Sequence, residues 1–324
     1  MVSIKDVAKH AGLSVATVSR VLNNKGYVSE DSRKKIERAI SELNYKPNAV
    51  ARSLFKKQSK TLGLMLPDIM NPFFPELARA VEDVAIKLGY TVILCNSDEN
   101  RDKEQSYLDM MMQKYVDGLI VASNTLSAEQ IEMLNIPVVS LDREISKGLP
   151  TIVVENRKGA RLAANFLKEI GRNRIAHIRG PHGIFTADER CKGYLEVISH
   201  EPWFKESFII DGDFAMQTSI EATVKLLQLH PEIDGIFAAN DTSAIGTIKA
   251  VHMLGKKVPE DIAIVGFDGI MMSVATTPEL TTIVQPIYEL GEKAATLLVQ
   301  LIEKQPIKET FYTLDVHLVE RQST

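Results

Sequence analysis

The chain has 324 residues, 45% of them hydrophobic and 25% charged, with a net charge of −4. That length supplies core for two or three domains, no apolar run approaches the roughly 18 residues a membrane helix needs, and two cysteines, Cys95 and Cys191, give no disulfide framework. The net charge averages two unlike parts: the first sixty residues carry 13 Lys/Arg against 5 Asp/Glu, and the remaining 264 carry 25 against 37. A basic head can neutralise phosphates and release counterions, whereas the acidic body alone is repelled by DNA.

In chain order, Ser3 is placed to cap a helix over residues 4–11, with Asp6 at the capping-box position and Val7 and Ala8 on its apolar face. Gly12 ends that helix, and Ser14 caps a second one over residues 15–22, where Val18, Val21 and Leu22 face inward. A third helix begins after Ser29, with Glu30 and Asp31 in its first turn and Ile36, Ala39, Ile40 and Leu43 along its buried stripe. Helix, tight turn, helix and supporting helix make a helix-turn-helix pattern. The second helix leaves Val15, Ala16, Thr17, Ser19 and Arg20 outside the core; the small side chains permit close approach to base edges, and Arg20 can bond a guanine bidentately. Pro47 halts the third helix, and the basic stretch that follows, with Lys56, Lys57 and Lys60, reads as a linker.

The string IKDVAKHAGLSVATVSRVLN, followed by VSEDSR and LNYKPNAVARSL, resembles the head of the lactose/galactose-repressor (LacI) family of bacterial transcription regulators. The resemblance implies that Ser14, Val15, Ala16, Thr17, Ser19, Arg20 and Asn23 face operator DNA. It also implies that residues 48–55 form a hinge helix, ordered on the operator, in which Asn48 and Ala51 contact DNA and Leu54 wedges into the minor groove.

From Thr61 onward, short apolar runs alternate with amphipathic segments: TLGLMLP, TVILC, GLIVAS and PVVSLDR, then RIAHIRG, FIIDGD, GIFAAN and AIVGFDG, with helices expected near residues 75–88, 103–114, 157–170, 187–199, 216–229 and from 243. The alternation predicts parallel, doubly wound sheets in two lobes, with ligands bound beyond the carboxyl ends of the strands. Asp68, Ser123, Asp142, Arg143, Asp213, Asn240, Asp241 and Asp268 all sit just past apolar runs; Asp241 reads as a lining or capping residue. The chain holds no G-x-G-x-x-G, Walker lysine motif, G-x-S-x-G or H-E-x-x-H, and its seven histidines show no metal-ligand spacing, so an enzyme, a metal and a cofactor are all unexpected.

The body resembles the periplasmic sugar-binding-protein fold, and within it the ribose binders. That resemblance assigns ligand contacts to Asn71, Phe73 and Phe74 of NPFF, Asp142 and Arg143 of SLDRE, Arg190 of TADERCKGY, Phe214 of DGDF, Asn240 of AAND, Asp268 of VGFDG and Gln285 of TTIVQP. Ser123 stands where the binders have an asparagine. Phenyl faces suit the C–H surfaces of a sugar ring, while carboxylates accept from hydroxyls and guanidinium groups donate to them.

The expected architecture is an N-terminal all-α helix-turn-helix domain plus hinge helix, followed by an α/β two-lobed periplasmic-binding-protein-like (type 1) effector domain with parallel doubly wound sheets. Its boundaries read as 1–47, 48–60 and 61–324, the first lobe holding about 61–160 and 287–304 and the second about 161–286 and 305–324. The resemblance, nearest to the ribose-type members of the family, implies a homodimer on double-stranded operator DNA, released by D-ribose or a related pentose. Some Gram-positive members also bind a phosphorylated phosphocarrier protein, whose surface no residue here identifies. The alternative within the family is a co-repressor-dependent regulator answering to another sugar, a sugar phosphate or a purine-type ligand. A transport component is disfavoured because MVSIKDVAKH places charges where a signal peptide has its apolar stretch, which predicts a cytoplasmic protein with no membrane partner. A nucleoside hydrolase is disfavoured by the lack of an aspartate cluster.

Overall fold

The computed structural model describes residues 2–22, 26–45 and 58–324. The chain divides into two compact units, Met1–Ser59 and Lys60–Thr324.

In the first unit, α1 (Ile4–Ala11), α2 (Val15–Leu22) and α3 (Glu30–Glu42) start and stop where the caps dictate. The Asp6 N–H donates to Ser3 Oγ and the Ser3 N–H donates to Asp6 Oδ2 at 2.8 Å, which closes a capping box. Gly12 ends α1 at φ 67°, a left-handed turn that glycine enters without a Cβ penalty. Val7, Ala8, Val18, Val21, Ile36, Ala39 and Tyr45 form one small buried cluster, with Ile40 and Leu43 packed half-buried against it.

The second unit carries two six-stranded sheets. Into the first go β1 (Thr61–Leu66), β2 (Thr91–Asn96), β3 (Gly118–Val121), β4 (Val138–Leu141), β5 (Thr151–Val154) and β11 (Phe311–Leu314), ordered β11-β5-β4-β3-β1-β2 and parallel throughout. The second holds β6 (Ile175–Arg179), β7 (Ile209–Asp211), β8 (Gly235–Ala238), β9 (Ala263–Asp268), β10 (Thr281–Val284) and β12 (His317–Val319), ordered β12-β10-β9-β8-β6-β7. It is parallel except for β12, which runs antiparallel beside β10. Runs such as β3 and β8 are buried at every residue, as parallel strands covered by helices on both faces must be.

Helices α4 (Phe73–Lys87), α5 (Arg101–Gln113), α6 (Ala128–Met133) and α11 (Ile287–Ile302) cover the first sheet. Helices α7 (Asn156–Glu169), α8 (Phe185–Ile198), α9 (Met216–Leu229) and α10 (Asp241–Met253) cover the second. A Cβ at Gly291 would sit 2.6 Å from the Leu77 carbonyl oxygen, so α11 and α4 approach as closely as they do because that position is bare. The chain passes between the lobes after β5, after β10 and after β11.

Two lobe assignments made from sequence need correction. Helix α7 begins at Asn156 and packs wholly on the second sheet, Gly159 lying against Phe267 and Ile283, so the first lobe's opening segment ends near residue 155 rather than 160. Strand β11 pairs with β5 in the first sheet, so 305–324 is shared between lobes rather than belonging to the second. The apolar residues of FYTL mark a strand, and only its pairing partner says which sheet it joins.

Candidate functional site

Strand order reverses between β1 and β3 in the first sheet and between β6 and β8 in the second, the switch points at which doubly wound sheets open a crevice. The carboxyl ends of these strands face a shared cavity of about 600 Å³. Nine residues assigned from the sequence line it: Asn71, Phe73, Phe74, Asp142, Arg190, Phe214, Asn240, Asp268 and Gln285.

On the first lobe, Asn71 Oδ1 accepts the Phe73 N–H at 3.2 Å, turning the chain into α4, while its side-chain amide NH2 has no partner among the described residues. Phe73 and Phe74 meet edge to face, with ring centroids 5.1 Å apart. The Asp142 carboxylate accepts no hydrogen bond among the described residues and faces the cavity.

On the second lobe, Arg190 is pinned from several sides. Its Nε donates to Asn156 Oδ1 at 2.8 Å, its Nη1 donates to the Ala239 carbonyl at 2.6 Å and to Asp268 Oδ1 at 3.3 Å, and its guanidinium lies 3.8 Å from the centre of the Phe267 ring. Gln285 Nε2 donates to the same Asp268 oxygen at 2.6 Å, which leaves Gln285 Oε1 buried without a partner among the described residues. Such an acceptor fits a ligand that brings hydroxyl donors. Asn240 caps α10 by accepting the Ser243 N–H at 2.8 Å, and its NH2 donates to the Phe214 carbonyl at 3.2 Å. Gly180 lets the Phe214 ring lie against the backbone, since a Cβ there would fall 2.5 Å from Cε1.

Backbone strain gathers at the cleft. Asp142 (φ 65°), Asp213 (φ 53°), Phe214 (φ 54°) and Asp268 (φ 119°) all occupy the region that side-chain-bearing residues avoid. Burial pushes the Asp142 and Asp268 carboxyls up to about 6, against the pull of Arg190, which lowers both. Burial likewise lowers the Arg190 guanidinium from its ordinary value.

Ser123 and Arg143, assigned to the ligand from sequence, sit elsewhere. Ser123 is 1% exposed; its hydroxyl donates to Glu104 and accepts the Thr125 N–H at 3.1 Å. Arg143 Nε donates to the Ser123 carbonyl at 2.9 Å and its Nη2 to the Leu126 carbonyl at 2.7 Å. Both residues clamp the loops after β3 and β4, and neither lines the cavity. Asp241, expected from the sequence to line the cavity or cap a helix, does neither and is a buried pin: Oδ2 accepts the Gly269 and Ile270 N–H groups at 2.8 and 2.9 Å, and Oδ1 accepts the Thr282 hydroxyl at 2.5 Å.

Asp98, Glu99, Asn124, Thr186 and Thr242 also line the cavity, and the sequence reading missed them. Asp98, Glu99 and Asn124 follow β2 and β3, so the strand-end rule that found Asp68 and Asp213 points to them too.

In the first unit, Ser14, Val15, Ala16 and Arg20 are exposed along one side of α2, and Thr17 and Ser19 are half-buried. Ser14 Oγ accepts the Thr17 N–H at 3.2 Å, which fixes the helix start. Asn23, Asn48, Ala51 and Leu54 lie outside the described residues, as does the hinge segment 48–55. Among the described residues no cluster of His, Cys, Asp or Glu could hold a metal ion, and no helix is long and apolar enough to cross a membrane.

Residues 3–48 match the model for bacterial regulatory proteins of the lacI family, and residues 59–317 match that for periplasmic binding proteins and the sugar-binding domain of the same family. The chain belongs to the LacI family. A ribose operon repressor of Halalkalibacterium halodurans is 50% identical over 324 residues, covering 100% of this chain and 97% of the relative. The lac repressor dimer bound to operator and an anti-inducer superposes with a TM-score of 0.88 at 29% identity, covering 99% of this chain and 98% of that one. A LacI-family regulator of Enterococcus faecalis with bound ribose gives 0.74 at 33% identity, covering 82% of this chain and 98% of that one. This LacI-family chain is thus a DNA-binding, sugar-responsive repressor built from the family's helix-turn-helix and effector domains.

Proposed function

We propose that this protein represses a ribose-utilisation operon and leaves its operator when D-ribose, or a pentose close to it, fills the cleft. The observation that carries the reading is the cleft floor: Gln285 Oε1 is a buried orphan acceptor, and it stands with the Asp142 and Asp268 carboxylates among the rings of Phe73, Phe74 and Phe214. Rings take the C–H faces of a furanose or pyranose, and the acceptors take its hydroxyls. A sugar lacking one hydroxyl would leave a buried polar group unpaired, which makes selectivity among pentoses steep. The similarity to a ribose operon repressor and to a LacI-family regulator with bound ribose supports ribose.

The cleft lies between lobes joined by three chain crossings, so a sugar held by Asn71 and Asp142 on one side and Arg190, Asp268 and Gln285 on the other favours their closure. Closure moves the first lobe, to which the linker at Lys60 attaches, and so weakens the joint grip of two heads on a two-fold operator. The sugar shifts this balance only by its differential affinity for the two arrangements, and operator weakens sugar binding by the same factor. Val15, Ala16 and Arg20 read bases in this scheme, with Ser14, Thr17 and Ser19 around them. A homodimer is supported by exposed apolar residues along the first sheet's edge and its helix, Leu94, Ile86 and Leu88, and by Met253 and Leu254 on the second lobe.

Calorimetric titration of the full-length protein with D-ribose and neighbouring pentoses tests the effector. Saturable one-to-one binding by one of them is expected; heat of dilution alone for every pentose refutes the reading. Adding a phosphorylated phosphocarrier protein to the operator complex tests that partner separately.

A further inference from the structure

The mouth of the cleft is acidic in a way the sugar contacts do not require. Asp68, Asp98 and Glu99 of the first lobe and Asp213 of the second are exposed lining residues, above the Asp142 and Asp268 carboxylates on the floor. Local structure holds them there. Asp98 and Glu99 occupy consecutive left-handed positions, each at φ 52°, and Asp213 sits at φ 53°. The Asp98 N–H donates to the Pro67 carbonyl at 2.8 Å, and Asn124 Nδ2 donates to Glu99 Oε1 at 2.8 Å. Strain kept by specific bonds at a ligand mouth is a mark of function.

Positive charge is scarce beside this. Among the described lining residues Arg190 is the one cation; its Nε and Nη1 are engaged by Asn156, Ala239 and Asp268, and its charge is offset by the Asp268 carboxylate at 3.3 Å, which leaves Nη2 as its one uncommitted nitrogen. Arg143 is turned onto the Ser123 and Leu126 carbonyls. Lys103 offsets Asp98 alone, at 2.6 Å, and Arg179 is held by Asp188 at 2.6 Å. Hydrogen-bonding chemistry points the same way: Gln285 Oε1 and the Asp142 carboxylate are acceptors awaiting donors. A sugar hydroxyl donates a proton to each; a phosphate dianion has none to give and brings two negative charges among carboxylates.

We infer that the cleft admits uncharged sugars and excludes their phosphate esters, with Asp68, Asp98, Glu99 and Asp213 as the specificity-determining collar. The inference rests on the pentose reading and sharpens it: the signal is the sugar before a kinase acts on it, so sugar uptake or release from a glycoside supplies the effector and phosphorylation removes it.

The test is calorimetric titration of the full-length protein with D-ribose, D-ribose 5-phosphate and D-ribose 1-phosphate at low and high salt, repeated on the double variant Glu99→Gln, Asp213→Asn. Both esters should bind about 100-fold more weakly than ribose at low salt, and the gap should narrow as salt screens the exposed collar. The double variant should raise the affinity of the esters relative to ribose about tenfold. An ester binding within a few-fold of ribose overturns the exclusion and leaves the pentose reading standing. A ratio unmoved by salt and by the double variant overturns the collar's role. Failure of all three compounds to bind refutes ribose as the effector and overturns this inference with it.

Discussion

Substituting Gly180 by alanine perturbs the cleft without removing any group that bonds a ligand. Gly180 follows β6, and its φ is one that alanine adopts without strain, so the only new feature is a Cβ lying 2.5 Å from Cε1 and 2.8 Å from Cε2 of Phe214. Carbon atoms rest at about 3.5–4.0 Å, so the ring must retreat by roughly 1 Å. It has little freedom to do so in place, because its carbonyl is held by Asn240 at 3.2 Å and it shares a left-handed pair of residues with Asp213. Forcing a methyl into such a contact costs about 1–3 kcal/mol, equivalent to roughly 5- to 150-fold in affinity. Phe214 is half-buried and belongs to no core cluster, so the cost falls on the ligand-bound arrangement more than on folding. Calorimetry on Gly180→Ala should therefore show ribose binding weakened at least fivefold, while operator affinity without sugar stays at the wild-type value. The variant would hold operator at sugar concentrations that clear the parent. A ribose Kd unchanged by the alanine would refute Phe214 as a wall of the site.

Three other predictions follow from the same geometry. Asp241→Ala strands the Gly269 and Ile270 N–H groups and the Thr282 hydroxyl in the interior, and should cost about 3 kcal/mol or more, read as a lower urea midpoint at unchanged slope. Because the folded Asp142 and Asp268 carboxyls titrate near 6, above the unfolded value of about 3.9, the stability these groups contribute is full below about pH 4 and lost as pH rises through 6; hydroxyl donors favour the ionised carboxylates, so ribose affinity should rise from pH 5 to 7, and a flat profile would contradict it. Arg20→Ala should relax base choice at one position in each operator half-site by about 1–3 kcal/mol, measured by competition with single-base operator variants; equal weakening on every sequence would place Arg20 on phosphate instead.

Much of this molecule is legible in its residues because the relevant signals are local. Ser3, Gly12, Ser14 and Ser29 mark the ends of the three head helices, and helix ends are fixed by side chains within four residues. The cleft residues follow strands, and the strand-end rule places Asn71, Asp142, Asn240 and Asp268 together. What escaped depends on distant partners. Ser123 faces away from the cavity because Glu104, nineteen residues earlier on α5, accepts its proton inside the lobe. Arg143 can reach the ligand or the carbonyls of 123 and 126, and the fold of a neighbouring loop decides which. Strand β11 joins the first sheet rather than the second through its pairing with β5, more than 150 residues upstream, a choice no local pattern carries.

The central claim is that a neutral sugar in the acidic body governs how the basic head holds DNA. Fluorescence anisotropy of a labelled operator, titrated with the full-length protein in the absence and presence of saturating D-ribose, tests it most directly. Ribose should raise the operator Kd at least tenfold, within the range that coupling energies of about 1–3 kcal/mol allow. An operator Kd that ribose leaves unchanged, or lowers, would contradict it.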